Sequence, residues 1–419
     1  MRLPLLLTTL ALPAVLAAQT LPIVAPATEG MSAARLNLID RVMQEAVDSS
    51  RVAGVVTMVL RHGKVVQHKA YGWADVESRK PMREDALFRI ASQSKAVTSV
   101  AIMMLIEEGR LKLSDPVSRW LPTFASARVF TATDSGPQLL PLKRPITIRH
   151  LLTQTAGISY GTDPSVRDRY EAAGLGPAAG WGWYLADKSE PVCASMDRLG
   201  TLPFVAQPGE KWVYGYSTDI LGCVVERVSG LPLDRFFETR IFTPLGMRST
   251  WFFPPTSAAP RMTSVYAHQD GRLVPAPEGG KGRGEYLAGP RANFSGGAGL
   301  ISTAGDYARF LQMLANGGTL NGVRLLSPAT VDLMRSNAVD TLYGKTSGFG
   351  LGFAVLEDPG NAGAYGNVGL YSWGGAYGSA YWIDPKSGLV CVYMVQLQPN
   401  PGLDLAERLR TIVFSSVER

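Results

Sequence analysis

Apolar and polar positions alternate between two periods along the chain. From Ser32 onward, Leu36, Ile39, Met43 and Ala46 fall on one face of a helix, with Ser32 available as its N-cap. Residues 55–60 and 64–71 are strand-like runs joined across His62-Gly63, where Gly63 supplies the turn conformation, so an antiparallel hairpin is expected. A strongly apolar helix is predicted to begin near Ser92, because Val97, Val100, Ala101, Met104 and Leu105 repeat at helical spacing and Gly109 can close it. Such a helix belongs in the interior. Residues 116–299 carry helical pieces, Gly- and Pro-rich loops and few alternating runs, which predicts a mostly helical region with long connections. Thr303 and Asp306 signal a capped helix running to Asn316, with Gly317 after it. Past Gly348 the strand signals return. Tyr381-Trp382-Ile383, the turn Asp384-Pro385-Lys386-Ser387-Gly388 and residues 389–395 read as a hairpin, followed by a helix through Leu409. The two ends of the chain are expected to share one sheet. No repeat of about 20 to 50 residues is visible, which excludes a solenoid or propeller.

Composition narrows this picture. The 419 residues are 46% hydrophobic and 18% charged, which excludes a disordered or fibrous chain. The net charge of +6 is spread without a Lys/Arg block, so it predicts solubility and no nucleic-acid partner. Met1 and Arg2 precede an apolar run over residues 3–18 that ends in small residues, the pattern of a secretory signal peptide cleaved after Ala17 or Ala18. The run is short for a spanning helix, and no later stretch is long and apolar enough to span after cleavage, so an exported, periplasmic or secreted location is expected. Cys193, Cys223 and Cys391 give no disulfide framework and no metal-ligand spacing; one disulfide is possible, and none is the preferred expectation. Cys223 and Cys391 read as small core residues.

Ser92-Gln93-Ser94-Lys95 opens the buried helix, and the three-residue spacing sets Ser92 and Lys95 one turn apart on one face. A helix N-terminus favours a developing oxyanion, and burial of a lysine favours the neutral amine that a general base needs. With 30 serines and 11 lysines, roughly 0.8 S-x-x-K matches arise by chance, so position supplies the weight: this match starts a buried helix directly after the strand-like Leu87-Phe88-Arg89-Ile90. A plain N-cap serine is the structural alternative. Gly157-Ile158-Ser159-Tyr160-Gly161 satisfies G-x-S-x-G, but a short helix precedes it and a turn follows, the wrong context for a nucleophile elbow. His62, His68, His150 and His268 lack local context for a Ser-His-Asp mechanism and lack ligand spacing for a metal. Tyr214 and Tyr216 lie in a phenol-rich segment leading into an apolar helix, where a tyrosine could relay protons or merely wall a pocket.

Five ordered segments together resemble the penicillin-recognising serine hydrolases, in the class C β-lactamase-like branch that includes the family VIII carboxylesterases. They are Phe88-Arg89-Ile90-Ala91-Ser92-Gln93-Ser94-Lys95, Leu151-Leu152-Thr153-Gln154-Thr155-Ala156-Gly157-Ile158, the Tyr214 segment, Ser295-Gly296-Gly297-Ala298-Gly299-Leu300 and Trp373-Gly374-Gly375. The resemblance implies Ser92 as acylated nucleophile, Lys95 as general base and Tyr214 as proton relay. Tyr214 is preferred to Tyr216 because it stands five residues before Asp219-Ile220-Leu221-Gly222. It also implies an oxyanion hole from the Ser92 and Ala376 N–H groups. Two departures favour an ester over a β-lactam. Tyr216 occupies the Asn position of Y-x-N, and Trp373-Gly374-Gly375 replaces K-T-G, exchanging a carboxylate-pairing lysine for an apolar wall. Trp373, Gly374, Gly375 and Tyr216 are accordingly expected to contact substrate. Lys345-Thr346-Ser347-Gly348 is read as a loop, and Trp181, Trp183 and Tyr184 as a wall of a pocket or of the core.

The implied fold is a two-domain α/β (α+β) serine β-lactamase/penicillin-binding-protein-like fold. Residues 19–115 and 300–419 would form the antiparallel sheet with its flanking helices, and 116–299 a mostly helical domain, with the site between them. The expected activity is hydrolysis of short-chain esters through an acyl-enzyme, with no metal and no cofactor. The alternatives are a β-lactamase or D-alanyl peptidase, and a non-catalytic protein binding β-lactams or cell-wall ligands.

Overall fold

The computed structural model describes residues 21–133, 136–176, 187–277 and 286–418. The leader at residues 1–18 and Trp181, Trp183 and Tyr184 lie outside the described residues. Eight strands form one sheet: β1 (Gly54–Arg61), β2 (Lys64–Asp75), β3 (Lys80–Pro81), β4 (Ser347–Phe349), β5 (Ala354–Leu356), β6 (Tyr371–Gly374), β7 (Ala380–Asp384) and β8 (Leu389–Met394). Their spatial order is β4-β5-β6-β7-β8-β1-β2-β3, antiparallel throughout. The β1/β8 pair joins the two ends of the chain, with Val56 opposite Met394 and Arg61 opposite Leu389. The turn between β1 and β2 places His62 at φ 49° and Gly63 at φ 79°, the left-handed pair that a tight hairpin needs.

The pleat of β1 sends alternate residues into two layers. Val56, Met58 and Leu60 pack with α2 (Ser94–Glu107) and α5 (Ala304–Ala315). Val55 and Val59 pack with α1 (Leu38–Asp48) and α6 (Leu405–Ser415) on the other face. All eight residues of β1 are buried. At about 1.5–3 kcal/mol per buried aliphatic side chain, this strand anchors both layers. A charge at Val56 would be left without a partner between sheet and helix, and the structure would not tolerate it.

α2 is apolar around nearly its whole circumference, with Ser94 through Leu105 buried. It ends where Gly109 adopts φ 71° and the Arg110 N–H reaches the Leu105 carbonyl. Between sheet segments lie α3 (Val192–Leu199) and α4 (Ser217–Ser229). This stretch also contains two small hairpins, Arg128–Thr133 with Gly136–Pro141 and Tyr266–Gln269 with Arg272–Pro275, that the periodicity did not signal.

Three further local expectations change. The first helix breaks at Asn37 into Ala33–Leu36 and α1. Ser347 and Gly348, read as loop, form the start of edge strand β4, because pairing with β5 overrides the weak local signal. Cys193 and Cys223 form a disulfide, contrary to the preferred expectation. The packing of α3 on α4 brings their Cα atoms to 5.0 Å, a proximity that a sequence separation of 30 conceals. Cys391 is a free, buried core thiol.

Candidate active site

The nucleophile turn is built at the junction of a strand and a helix. Phe88–Arg89 pairs with Ile301–Ser302, and the chain then turns through Ala91 at φ 43°, a left-handed conformation costing about 1 kcal/mol or more for a residue with a Cβ. A short 3-10 turn, Ala91–Gln93, carries Ser92 into the start of α2. The segment 295–300 straps this turn down: the Leu300 N–H donates to the Ser94 hydroxyl (3.0 Å), and the Thr98 hydroxyl donates to the Gly296 carbonyl (2.7 Å).

Lys95 is 3% exposed and is held from three directions. Its Nζ lies 3.3 Å from the Ser92 Oγ, 2.9 Å from the Tyr160 hydroxyl and 2.7 Å from the Gly297 carbonyl oxygen. It also lies 4.7 Å from the centre of the Tyr214 ring. Asp219, fully buried, stands behind this arrangement. Its Oδ1 accepts from the Ser295 hydroxyl (2.5 Å) and the Gly297 N–H (3.1 Å), which anchors the residue whose carbonyl holds Lys95. Burial pushes the Asp219 carboxyl up, and the positive charge of Lys95 acts in the opposite sense. A Cβ at Gly297 would meet Asp219 Oδ2 at 2.5 Å, so any larger residue would displace the carboxylate or the strap.

Tyr214 is set by Gln154. The Val213 N–H donates to the Gln154 backbone carbonyl (2.8 Å), and the Gly215 N–H donates to its side-chain oxygen (3.4 Å), so one residue grips the chain on both sides of the phenol. The Gln154 amide in turn donates to the Thr218 hydroxyl at 3.1 Å. The Tyr214 hydroxyl accepts from the Trp373 indole N–H at 3.3 Å. β6 thus delivers Trp373 beside the phenol. The next glycine, Gly375, lies against the Ile90 carbonyl, where a Cβ would approach its oxygen to 2.5 Å. Ala376 follows at an exposed position.

The structure therefore brings together Ser92, Lys95, Tyr214, Trp373, Gly374 and Gly375. It does not bring in Tyr216. That ring is wholly buried, its hydroxyl donates to the Leu175 carbonyl (3.0 Å), and its edge packs on Tyr160 at 4.8 Å between centres. The substrate-contact role expected for Tyr216 is thereby corrected to one of backing Tyr160. Ser159 is buried and its Oγ accepts from the Gly161 N–H, a local turn contact. The histidines are engaged elsewhere: His62 with Glu29, His68 beside Glu84, His150 in a capping box with Thr147, and His268 on the Arg51 carbonyl. Among the described residues no group of three His, Cys, Asp or Glu could hold a metal ion, and no helix is long and apolar enough to cross a membrane.

Sequence reasoning missed Tyr160 and Gln154. Both lie within or directly beside segments already singled out, but nothing in spacing alone showed that Tyr160, next to the decoy Ser159, would reach the lysine.

A sequence model of the beta-lactamase family matches residues 39–413. The chain belongs to this family. Similar proteins include esterase EstB of Burkholderia gladioli, 34% identical over 371 residues, covering 84% of this chain and 88% of that protein. The lovastatin esterase of Penicillium rubens is 32% identical over 387 residues, covering 85% of this chain and 92% of its own. Among solved structures, EstCE1, described as a hydrolase with promiscuous acyltransferase activity, superposes with a TM-score of 0.76 at 31% identity, covering 91% of this chain and 99% of that one. The protein is a serine hydrolase with the beta-lactamase/penicillin-binding-protein-like fold, and its likeness is to the family VIII type of esterase.

Proposed function

We propose that the protein is an exported carboxylesterase acting on short-chain esters through an acyl-enzyme on Ser92. The observation that carries this reading is the placement of the Lys95 Nζ, 3.3 Å from the Ser92 Oγ and over the ring of Tyr214, at the buried start of α2. Lys95 acts as general base: its Nζ takes the Ser92 proton while Oγ bonds to the ester carbon. The carbonyl electron pair moves onto oxygen, which the Ser92 and Ala376 N–H groups receive. As the tetrahedral centre collapses, the C–O bond to the alcohol breaks and the leaving oxygen takes a proton from the Tyr214 hydroxyl, resupplied from Lys95. Water then enters by the reverse sequence and releases the acid. An alcohol in place of water gives acyl transfer by the same intermediate.

Trp373 supports an ester over a β-lactam: the strand position that the resemblance equates with a carboxylate-pairing lysine holds an indole. Export is supported by the charged and apolar leader and by the Cys193–Cys223 disulfide, which persists in oxidising compartments. The test is parallel turnover of a short-chain p-nitrophenyl ester and the cephalosporin nitrocefin, with Ser92→Ala as control. Ser92-dependent ester turnover far exceeding cephalosporin turnover is expected. Dominant cephalosporin turnover would replace this reading by the β-lactamase one, and turnover of neither by ligand binding alone.

A further inference from the structure

Four half-exposed aromatic rings, Trp212, Tyr214, Tyr343 and Trp373, meet over a buried fifth, Phe349. They come from three separate chain segments: the loop before α4, the approach to edge strand β4, and β6. Trp212 stacks on Tyr214 at 5.7 Å between centres with 10° between the planes. Tyr343 and Phe349 meet Trp212 edge-on at 4.9 and 5.5 Å, and Phe349 meets Trp373 edge-on at 5.4 Å. Trp373 tilts over Tyr214 at 5.5 Å. Folding alone gives no reason to leave four large rings together half in water, and a patch of this kind marks a recognition surface.

We infer that this cluster receives the alcohol portion of the substrate and that the preferred alcohol is aromatic. The inference rests on the esterase reading, because the direction follows from its chemistry. The acyl carbon must bond to Ser92 Oγ, whereas the leaving oxygen must touch the Tyr214 hydroxyl that protonates it. The Trp373 indole N–H is 3.3 Å from that same hydroxyl, so the carbon attached to the leaving oxygen emerges against Trp373 and its ring neighbours. The rings offer both faces and edges, the two arrangements by which a planar aromatic group packs. None carries a formal charge. Burial and the neighbouring Tyr214 push the Tyr343 phenol up, which keeps it a neutral hydroxyl. A cationic alcohol would find no facing carboxylate within the cluster, and as it leaves, the Lys95 nitrogen over the Tyr214 ring holds the proton taken from Ser92 and so presents a like charge.

The test compares kcat/KM for acetate esters that share one acyl group: benzyl, cyclohexylmethyl, ethyl and choline. Benzyl acetate should exceed cyclohexylmethyl acetate at least tenfold, with ethyl and choline acetates lower still. Tyr343→Ala should reduce the benzyl-to-ethyl ratio at least fivefold, and Tyr343→Phe should restore it. Moving the ring to the acyl side, as in ethyl phenylacetate, should not reproduce the benzyl advantage. Equal rates for benzyl and cyclohexylmethyl acetates, a lead for choline acetate, or a ratio insensitive to Tyr343→Ala would overturn the inference while leaving the esterase reading intact. Absence of Ser92-dependent turnover for every ester, ethyl acetate included, would overturn the esterase reading and this inference with it.

Discussion

The Lys95 Nζ is closer to the Tyr160 hydroxyl, at 2.9 Å, than to the Ser92 Oγ, at 3.3 Å. Two phenols therefore flank one lysine: Tyr160 takes a hydrogen bond from its nitrogen, and Tyr214 presents its ring. Tyr160→Phe removes only the hydroxyl and keeps the packing against Tyr214 and Tyr216. Once Lys95 has taken the Ser92 proton this hydrogen bond is charge-assisted and worth about 1.5–3 kcal/mol, so kcat should fall roughly 10- to 100-fold with KM little changed. Steady-state kinetics on one short-chain ester would check this, and an unchanged kcat would remove Tyr160 from the site's support.

Gln154 holds the backbone N–H groups of the residues on either side of Tyr214. Gln154→Ala leaves the Gly215 N–H and the Thr218 hydroxyl without this partner in a buried setting, at about 1–3 kcal/mol each way the structure cannot relax. The expected result is a lower denaturation midpoint together with a kcat loss of about tenfold or more. Loss of stability with full kcat would show that Tyr214 needs no clamp.

Gly297→Ala forces a methyl group against the Asp219 carboxylate, 2.5 Å away. The peptide that offers its carbonyl to Lys95 must then shift. Destabilisation of about 1–3 kcal/mol is expected, with activity falling beyond what the unfolded fraction explains. Denaturant melts paired with turnover at a temperature where the variant is folded would separate the two effects.

The Cys193–Cys223 disulfide ties α3 to α4, the helix carrying Asp219. Cys193→Ser with Cys223→Ser should cost about 2–4 kcal/mol and retain ester turnover at 25 °C. Alkylation of unfolded, unreduced protein should label Cys391 alone. Labelling of all three cysteines would contradict the pairing.

Glu190 accepts hydrogen bonds from Arg198 and from the Ser195 hydroxyl, and these, the Arg198 contact first, hold its carboxyl down to about 2 from an ordinary 4.5. A depressed folded-state value means that the stabilisation is present above the unfolded value and is lost as pH falls through about 2. The pair is partly exposed, so screening limits its worth to about 0.5–1 kcal/mol. Thermal melts of Glu190→Gln should show a deficit at pH 7 that shrinks steadily between pH 4.5 and 2. A deficit independent of pH would assign the effect to packing.

The central layers were legible because their signals are local and strong. The all-buried β1, the β7–β8 hairpin and the apolar α2 each declare themselves through periodicity, and Gly63 and Gly109 mark their turns. The pairing of β1 with β8 was inferable only from strand signals at both chain ends. What the sequence hid depends on contacts between remote segments. Cys193 and Cys223 meet because two helices pack, β4 exists because β5 lies beside it, and Tyr160 reaches Lys95 across 65 residues of chain. Tyr216 shows the converse: a residue two positions from Tyr214 points into the core, because the start of α4 turns its ring toward Leu175.

The most direct test of the account is the mass of the protein during turnover. Acid quench in the first turnovers of an acetate ester, followed by digestion, should find one acetyl group on the peptide carrying Ser92, with none in Ser92→Ala. An acetyl group on another residue, or rapid Ser92-independent ester turnover without any adduct, would contradict it.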